Sequence, residues 1–299
     1  IWTVRISADG QYAAAASFDG TAVVLDANNG SLLQRFSGHE DVLRAVDFRP
    51  DSTQVATGGR DKTVRVWDRE TGEQISLLDE FDDDVYDLRY SPDGRYLAVA
   101  CLDKRAVLYN AETLEKITAV SYPYTVLSVA FTPDSKKLVI GSTTSQVDVL
   151  DIASGEVEKT WNKKTEGYIH SVDVSPLGDR IAVADENGIC TLLSLPNLQP
   201  IGEVPSDDPM WKVVFDQSGK RIVTTSRRSV RVFTLDDFFR NTEIDYDITP
   251  EAAATAPVKL VPYGQPRVRA TRWMNLDGPY TRENGFCLVQ KAGAEAMAI

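Results

Sequence analysis

One phrase recurs along the 299 residues, and it limits the possible folds more than any other feature. An alternating apolar stretch runs into a Ser/Thr-Pro-Asp-Gly-like turn, and a second apolar stretch follows. The phrase stands as Val4-Arg-Ile-Ser-Ala-Asp-Gly10, Val46-Asp-Phe-Arg-Pro-Asp-Ser52 and Leu88-Arg-Tyr-Ser-Pro-Asp-Gly94. It returns as Val129-Ala-Phe-Thr-Pro-Asp-Ser135, Val172-Asp-Val-Ser-Pro-Leu-Gly178 and, worn, Val213-Val-Phe-Asp-Gln-Ser-Gly219. The spacing is 41 to 43 residues. Pro, Asp and Gly mark the turn because they supply the backbone angles of a tight reversal.

Each period holds four strand-sized pieces. In the second they are Leu43–Phe48, Gln54–Gly58, Thr63–Asp68 and Gln74–Leu78. Apolar and polar residues alternate in the first and third, the period of two that a strand imposes. A four-stranded sheet of this size cannot bury its own faces, but sheets stacked radially bury each other's.

The second period resembles the WD-repeat family most closely, through Gly38-His39, Ala56-Thr57-Gly58-Gly59, Asp61 and Val64-Arg-Val-Trp67-Asp68. The resemblance spans roughly residues 1–240. It implies an all-β fold, a WD-repeat β-propeller of six four-stranded blades, at about 1–39, 40–81, 82–123, 124–164, 165–207 and 208–240. It also implies a buried hydrogen-bonded chain of His39, Thr57, Asp61 and Trp67, stable only if every member is partnered. The other periods depart from this pattern: Leu25, Tyr109, Leu150, Leu193 and Phe233 replace Trp67, and only Asp19 and Asp103 repeat the turn Asp. Apolar packing is therefore expected to hold most blades.

Residues 241–299 allow three readings. Val258-Lys-Leu-Val-Pro262-Tyr-Gly264 falls where a seventh period would turn, and Val268–Trp273, Gly285–Gln290 and Glu295–Ile299 are strand-like. This is the expectation of a degenerate seventh blade, with Glu251–Ala256 as its linker. Arg267–Trp273 and Gly285–Val289 are also similar to the end of a formylglycine-generating-enzyme-like or C-type-lectin-like domain, although the stretch is too short for the whole of one. A docked or disordered extension is the remaining reading. The chain opens on Ile1 in strand-like sequence, so a fragment of a longer protein is expected.

Composition bears on partners. The net charge of -12 opposes phosphate backbones and anionic membranes, so neither nucleic acid nor membrane is an expected partner. Cys101, Cys190 and Cys287 are odd in number and far apart. They suggest buried thiols, a reducing compartment and hence the cytoplasm.

Catalytic patterns are missing. The chain has two histidines, His39 and His170, and no Gly-x-Ser-x-Gly, phosphate-binding Gly-x-x-x-x-Gly-Lys, His-Glu-x-x-His or Cys-x-x-Cys. No ring of acidic residues at equivalent strand positions stands out. Neither metal nor cofactor is implied, and the expected activity is not enzymatic. The run Asp79-Glu-Phe-Asp-Asp-Asp84 reads as a solvated loop, with an acidic docking patch or a calcium loop as alternatives.

Aligning the repeats isolates one variable column in the innermost strand: Trp2, Arg44, Tyr86, Leu127, His170 and Trp211. Aromatic and Arg residues dominate binding hot spots, so this column is the expected partner-binding ring at the channel mouth, with channel filling as its bland reading. The second turns add a weaker rim, Phe18, Arg60, Leu102, Thr143, Glu186 and Arg227, with Arg228 beside it. The expected function is recognition, either as a protein-interaction scaffold or as a ligand-sensing module of a larger signalling protein. The alternatives are a hydrolase or lyase in the channel and a nucleic-acid-binding propeller.

Overall fold

The computed structural model describes residues 1–163, 167–206 and 208–235, and the backbone of two further strands. Blade 1 comprises β1 (Thr3–Ile6), β2 (Tyr12–Ala16), β3 (Ala22–Asp26) and β4 (Leu32–Phe36). Blade 2 has β5 (Leu43–Phe48), β6 (Gln54–Gly59), β7 (Val64–Asp68) and β8 (Gln74–Leu78). Blade 3 has β9 (Val85–Tyr90), β10 (Tyr96–Cys101), β11 (Arg105–Asn110) and β12 (Lys116–Ser121). Blade 4 has β13 (Val126–Phe131), β14 (Lys137–Ser142), β15 (Gln146–Asp151) and β16 (Glu156–Asn162). Blade 5 has β17 (Ile169–Val174), β18 (Arg180–Asp185), β19 (Ile189–Ser194) and β20 (Pro200–Pro205). Blade 6 has β21 (Met210–Phe215), β22 (Arg221–Ser226) and β23 (Val230–Thr234).

Every blade is an antiparallel meander. Five have four strands and the sixth has three among the described residues, where four were expected. The innermost strands β1, β5, β9, β13, β17 and β21 lie side by side in chain order. The expected seventh blade falls outside the described residues, apart from the hairpin of β24 (Leu288–Gln290) and β25 (Ala296–Ala298). Strand β24 lies beside β1. Cys287 and the proposed linker also lie outside.

The turn phrase acts through its last position, which is left-handed in every blade: Gly10, Gly94, Gly178 and Gly219, with Ser52 and Ser135 in the other two. The Asp caps the turn, as where Ser91 Oγ donates to Asp93 Oδ1 at 2.6 Å and Thr132 Oγ1 to Asp134 Oδ1 at 2.6 Å.

From blade 2 to blade 6, large residues of the innermost strand press on smaller residues of the preceding blade's second strand. Leu43 and Val46 pack with Ala14 and Ala16; Val126 and Val129 pack with Ala98 and Ala100. Gly58 shows the tightness, since a Cβ there would lie 2.5 Å from Val85 Cγ1. This packing explains why the alanine-rich β2 is a strand: the neighbouring blade demands small side chains at that face, whatever their helix propensity.

Candidate protein-interaction site

The column at the mouth of the channel is not one continuous ring. A first group forms around Arg44, whose guanidinium lies 4.8 Å from the Trp2 ring centre and 5.4 Å from that of Tyr86. Trp2 also meets Tyr86 edge-on at 5.9 Å and Phe18 at 5.5 Å, so Phe18 of the second-turn rim joins this group. Arg44 Nε donates to Asp84 Oδ2 at 2.9 Å, which fixes the guanidinium in place. Burial raises the Tyr86 hydroxyl, which stays a neutral phenol.

A second group lies across the channel mouth. The His170 and Trp211 rings are 4.7 Å apart, and Tyr168 meets His170 edge-on at 6.4 Å. Trp211 is 38% exposed and Tyr168 49%, so this group is open on one side. Burial lowers the His170 imidazole, and its Nδ1 is buried without a hydrogen-bond partner. His170 therefore serves as an uncharged aromatic plate. Leu127 is buried and separates the two groups on one flank.

The rest of the second-turn rim is dispersed. Arg60 is exposed and 3.7 Å from Asp41, Leu102, Thr143 and Glu186 are half-buried, and Arg227 and Arg228 are exposed. Sequence alignment missed Tyr168 and Tyr124, both exposed, because they lie in the connections one and two residues before an innermost strand. Their signal was an aromatic residue next to a core position, outside the aligned column.

The polar chain of blade 2 stands behind this surface. Trp67 Nε1 donates to Thr57 Oγ1 at 2.8 Å, Thr57 Oγ1 is 2.7 Å from His39 Nε2, and His39 Nδ1 is 2.8 Å from Asp61 Oδ2. With Nδ1 donating to the carboxylate, Nε2 is left to accept from the Thr57 hydroxyl. Burial works to raise the Asp61 carboxyl, but hydrogen bonds from His39, the Glu40 N–H and Thr63 outweigh it and hold it down at about 2.

The acidic run is exposed at Asp79, Glu80, Asp82 and Asp83 and buried at Asp84, and two of its carboxylates have close partners. Glu80 accepts from Tyr109 Oη at 2.6 Å and pairs with Lys116, Asp84 holds Arg44, and Lys62 donates to Asp82 O. This loop buttresses blades 2 and 3 as well as meeting solvent. Among the described residues no group of three or more His, Cys, Asp or Glu side chains is arranged to hold a metal ion.

A family model described as the first beta-propeller of IFT122 matches residues 1–237. The chain belongs to that family. No curated protein matches it. The matched span runs from the first innermost strand to just past β23, so it covers all six described blades. A propeller of the IFT122 type is an interaction scaffold, and such propellers are typically not enzymes. No helix among the described residues is long and apolar enough to cross a membrane.

Proposed function

We propose that this IFT122-type propeller receives a protein or peptide partner on the face that carries the starts of its innermost strands. The observation behind this reading is the open aromatic group Tyr168, His170 and Trp211, facing the Arg44-centred group across the mouth. Rigid aromatics offer contact area at little entropic cost, and Arg and Trp are favoured anchors. The Arg44 group is already packed and ion-paired, so it shapes the site, while Trp211 and Tyr168 make the contact. The partner is a protein or peptide rather than nucleic acid, since the net charge of -12 repels phosphate. The cytoplasm is the compartment that suits two buried free thiols, Cys101 and Cys190.

Catalysis in the channel has little support. The Nδ1 of His170, the imidazole a triad would need, has no hydrogen-bond partner among the described residues. A sensor for a small ligand is the second reading at the same face, favoured by the exposed aromatic rings of Tyr168 and Trp211.

The test is affinity capture of partners by the wild type beside a folded Arg44→Ala, Tyr86→Ala, Trp211→Ala variant. A protein held by the wild type and lost by the variant, with loss of at least about 2 kcal/mol for a hot-spot tryptophan, supports the site. Equal capture by both moves recognition to the side or the second-turn rim. Capture by neither, with a small molecule raising the melting temperature, favours the sensor.

A further inference from the structure

The channel end opposite the aromatic groups holds a cavity of about 290 Å3. Ser7 and Ala8, Pro92 and Gln217, from the first turns of three blades, border it. Its wall is one strand position read round the ring: Arg5, Asp47, Arg89, Ala130, Asp173 and Val214. Mixed charge at this depth invites the question of which charge remains unanswered.

Arg5 is turned into the protein. Its Nη1 donates to Val4 O at 3.2 Å, its Nη2 lies 3.7 Å from Asp87, and its Nε and Nη2 are sealed from solvent. The two carboxylates behave differently. Asp47 accepts the Tyr90 N–H at 2.8 Å and Asp173 the Phe215 N–H at 2.7 Å, and neither is hydrogen-bonded to a side chain among the described residues. Asp47 has Arg5 and Arg89 at its level in the adjacent blades. Asp173 has Ala130 and Val214, so no cation stands beside it at that level.

Burial pushes the Asp47 carboxyl up to about 7 and that of Asp173 up to about 6, despite the nearby Arg5 charge. Among the described residues the other charges at mid-channel are Asp87 and Lys212, 3.9 Å apart, and β13 contributes only Ser128 and Ala130 there. Among the described residues, Asp173 thus has no cation at its level in the blades on either side, Arg5 acting on it from farther round the ring, and it stands against the apolar wall of Ile6, Ala130 and Val214. A donor set of two carboxylates is too small for a metal cage, and an organic cation matches both the charge and the wall.

We propose that this cavity binds an alkyl ammonium group, its charge on Asp173 with Asp47 behind, its alkyl arm along Ile6, Ala130 and Val214. A free amine and a lysine side chain of a docked peptide share this chemistry. The site lies at the other mouth from the aromatic face and stands independently of it.

The probes are n-butylammonium chloride and the peptide acetyl-Gly-Lys-Gly-amide, titrated calorimetrically into the full chain against sodium chloride of equal ionic strength. The wild type binds at pH 7.5, and Asp173→Asn, which keeps an oxygen for the Phe215 N–H, binds at least tenfold more weakly. Affinity rises roughly fourfold between pH 5.5 and 8.0 from the ionisation of Asp173 alone, since the ammonium stays charged throughout. Binding at pH 6 releases protons, a readout of the wild type that holds even if the variant fails to fold. Tighter binding of the peptide makes a partner's lysine the source, and tighter binding of n-butylammonium makes it a small amine. Equal affinity in wild type and folded Asp173→Asn, no proton release, or no binding of either probe overturns the proposal.

Discussion

A single oxygen decides whether the blade 2 core is satisfied. Thr57 Oγ1 is the meeting point of the Trp67 and His39 ring nitrogens, and all three side chains are buried or nearly so. Other blades solve the same space without it. In blade 3 the corresponding residues are Phe81, Val99 and Tyr109, with the Phe81 and Tyr109 rings 6.4 Å apart and the Tyr109 hydroxyl tied to Glu80. Asp103 there turns instead to Arg105. Valine therefore fits the Thr57 site in shape, and Thr57→Val tests the hydrogen bonds alone. It leaves two buried ring nitrogens unpartnered, at ~1–3 kcal/mol each, so a loss of ~2–6 kcal/mol is expected by denaturant titration. A loss under ~0.5 kcal/mol would mean that the chain contributes no net stability and that packing alone holds blade 2.

The innermost strands carry a second function beside lining the channel, because their polar side chains tie each blade to the next. Asp47 accepts from the Tyr90 N–H, Asp87 from Ser128 Oγ at 3.1 Å, Ser128 Oγ from the Val172 N–H at 3.1 Å, and Asp173 from the Phe215 N–H. Blades 2 to 6 are thus linked in sequence. The carboxyl groups of Asp47 and Asp173 sit above the ordinary carboxylate range, so the native state binds their protons more tightly than the unfolded chain does. Their contribution to stability is present below about pH 4 and is lost as pH rises through about 6 and then 7. The wild type should therefore lose stability between pH 5 and 8. Asp47→Asn with Asp173→Asn, which does not titrate, should lose less, by on the order of 2 kcal/mol at pH 8. Parallel thermal profiles for the two proteins across that range would show that the carboxylates are as well solvated folded as unfolded.

These strands also show where sequence reading succeeds and fails. The blades were legible because a local demand repeats: each first turn needs a left-handed residue and a capping acid, so Gly and Asp recur at fixed spacing. The large-on-small packing was legible as flat aliphatic columns. The charged wall was not, because Arg5, Asp47, Arg89, Ala130, Asp173 and Val214 share a position without sharing a type. Their relation appears only when the ring brings six distant segments together. The division of the aromatic column at Leu127 was hidden for the same reason; the acidic run meets solvent at Asp79, Glu80, Asp82 and Asp83, as expected, and the ties of Glu80 and Asp84 to Tyr109, Lys116 and Arg44 were hidden because those partners lie elsewhere in the chain.

At the scale of the molecule the question is what closes the ring. Between successive described blades, large residues of one face merge with small residues of the next into a single apolar cluster. Blades 6 and 1 break this rule. The face of blade 6 that points onward keeps its own cluster of Val214, Val223, Val230 and Val232, and the face of blade 1 that points back keeps Val4, Ile6, Ala15 and Val23. Thr225 occupies the place of Gly58 and Ala100, and its hydroxyl is buried without a partner among the described residues. Two apolar faces that do not meet each other require something between them, and β24 lies beside β1. The reading this supports is a seventh blade drawn from residues 241–299. Deleting the chain after residue 240 should then bare both faces and two strand edges, giving a lower melting temperature, a broader transition and concentration-dependent aggregation. Light scattering and calorimetry on the shortened chain check this. A truncated protein as soluble and as cooperative as the parent would place the closure within the six blades, by direct contact of blade 6 with blade 1.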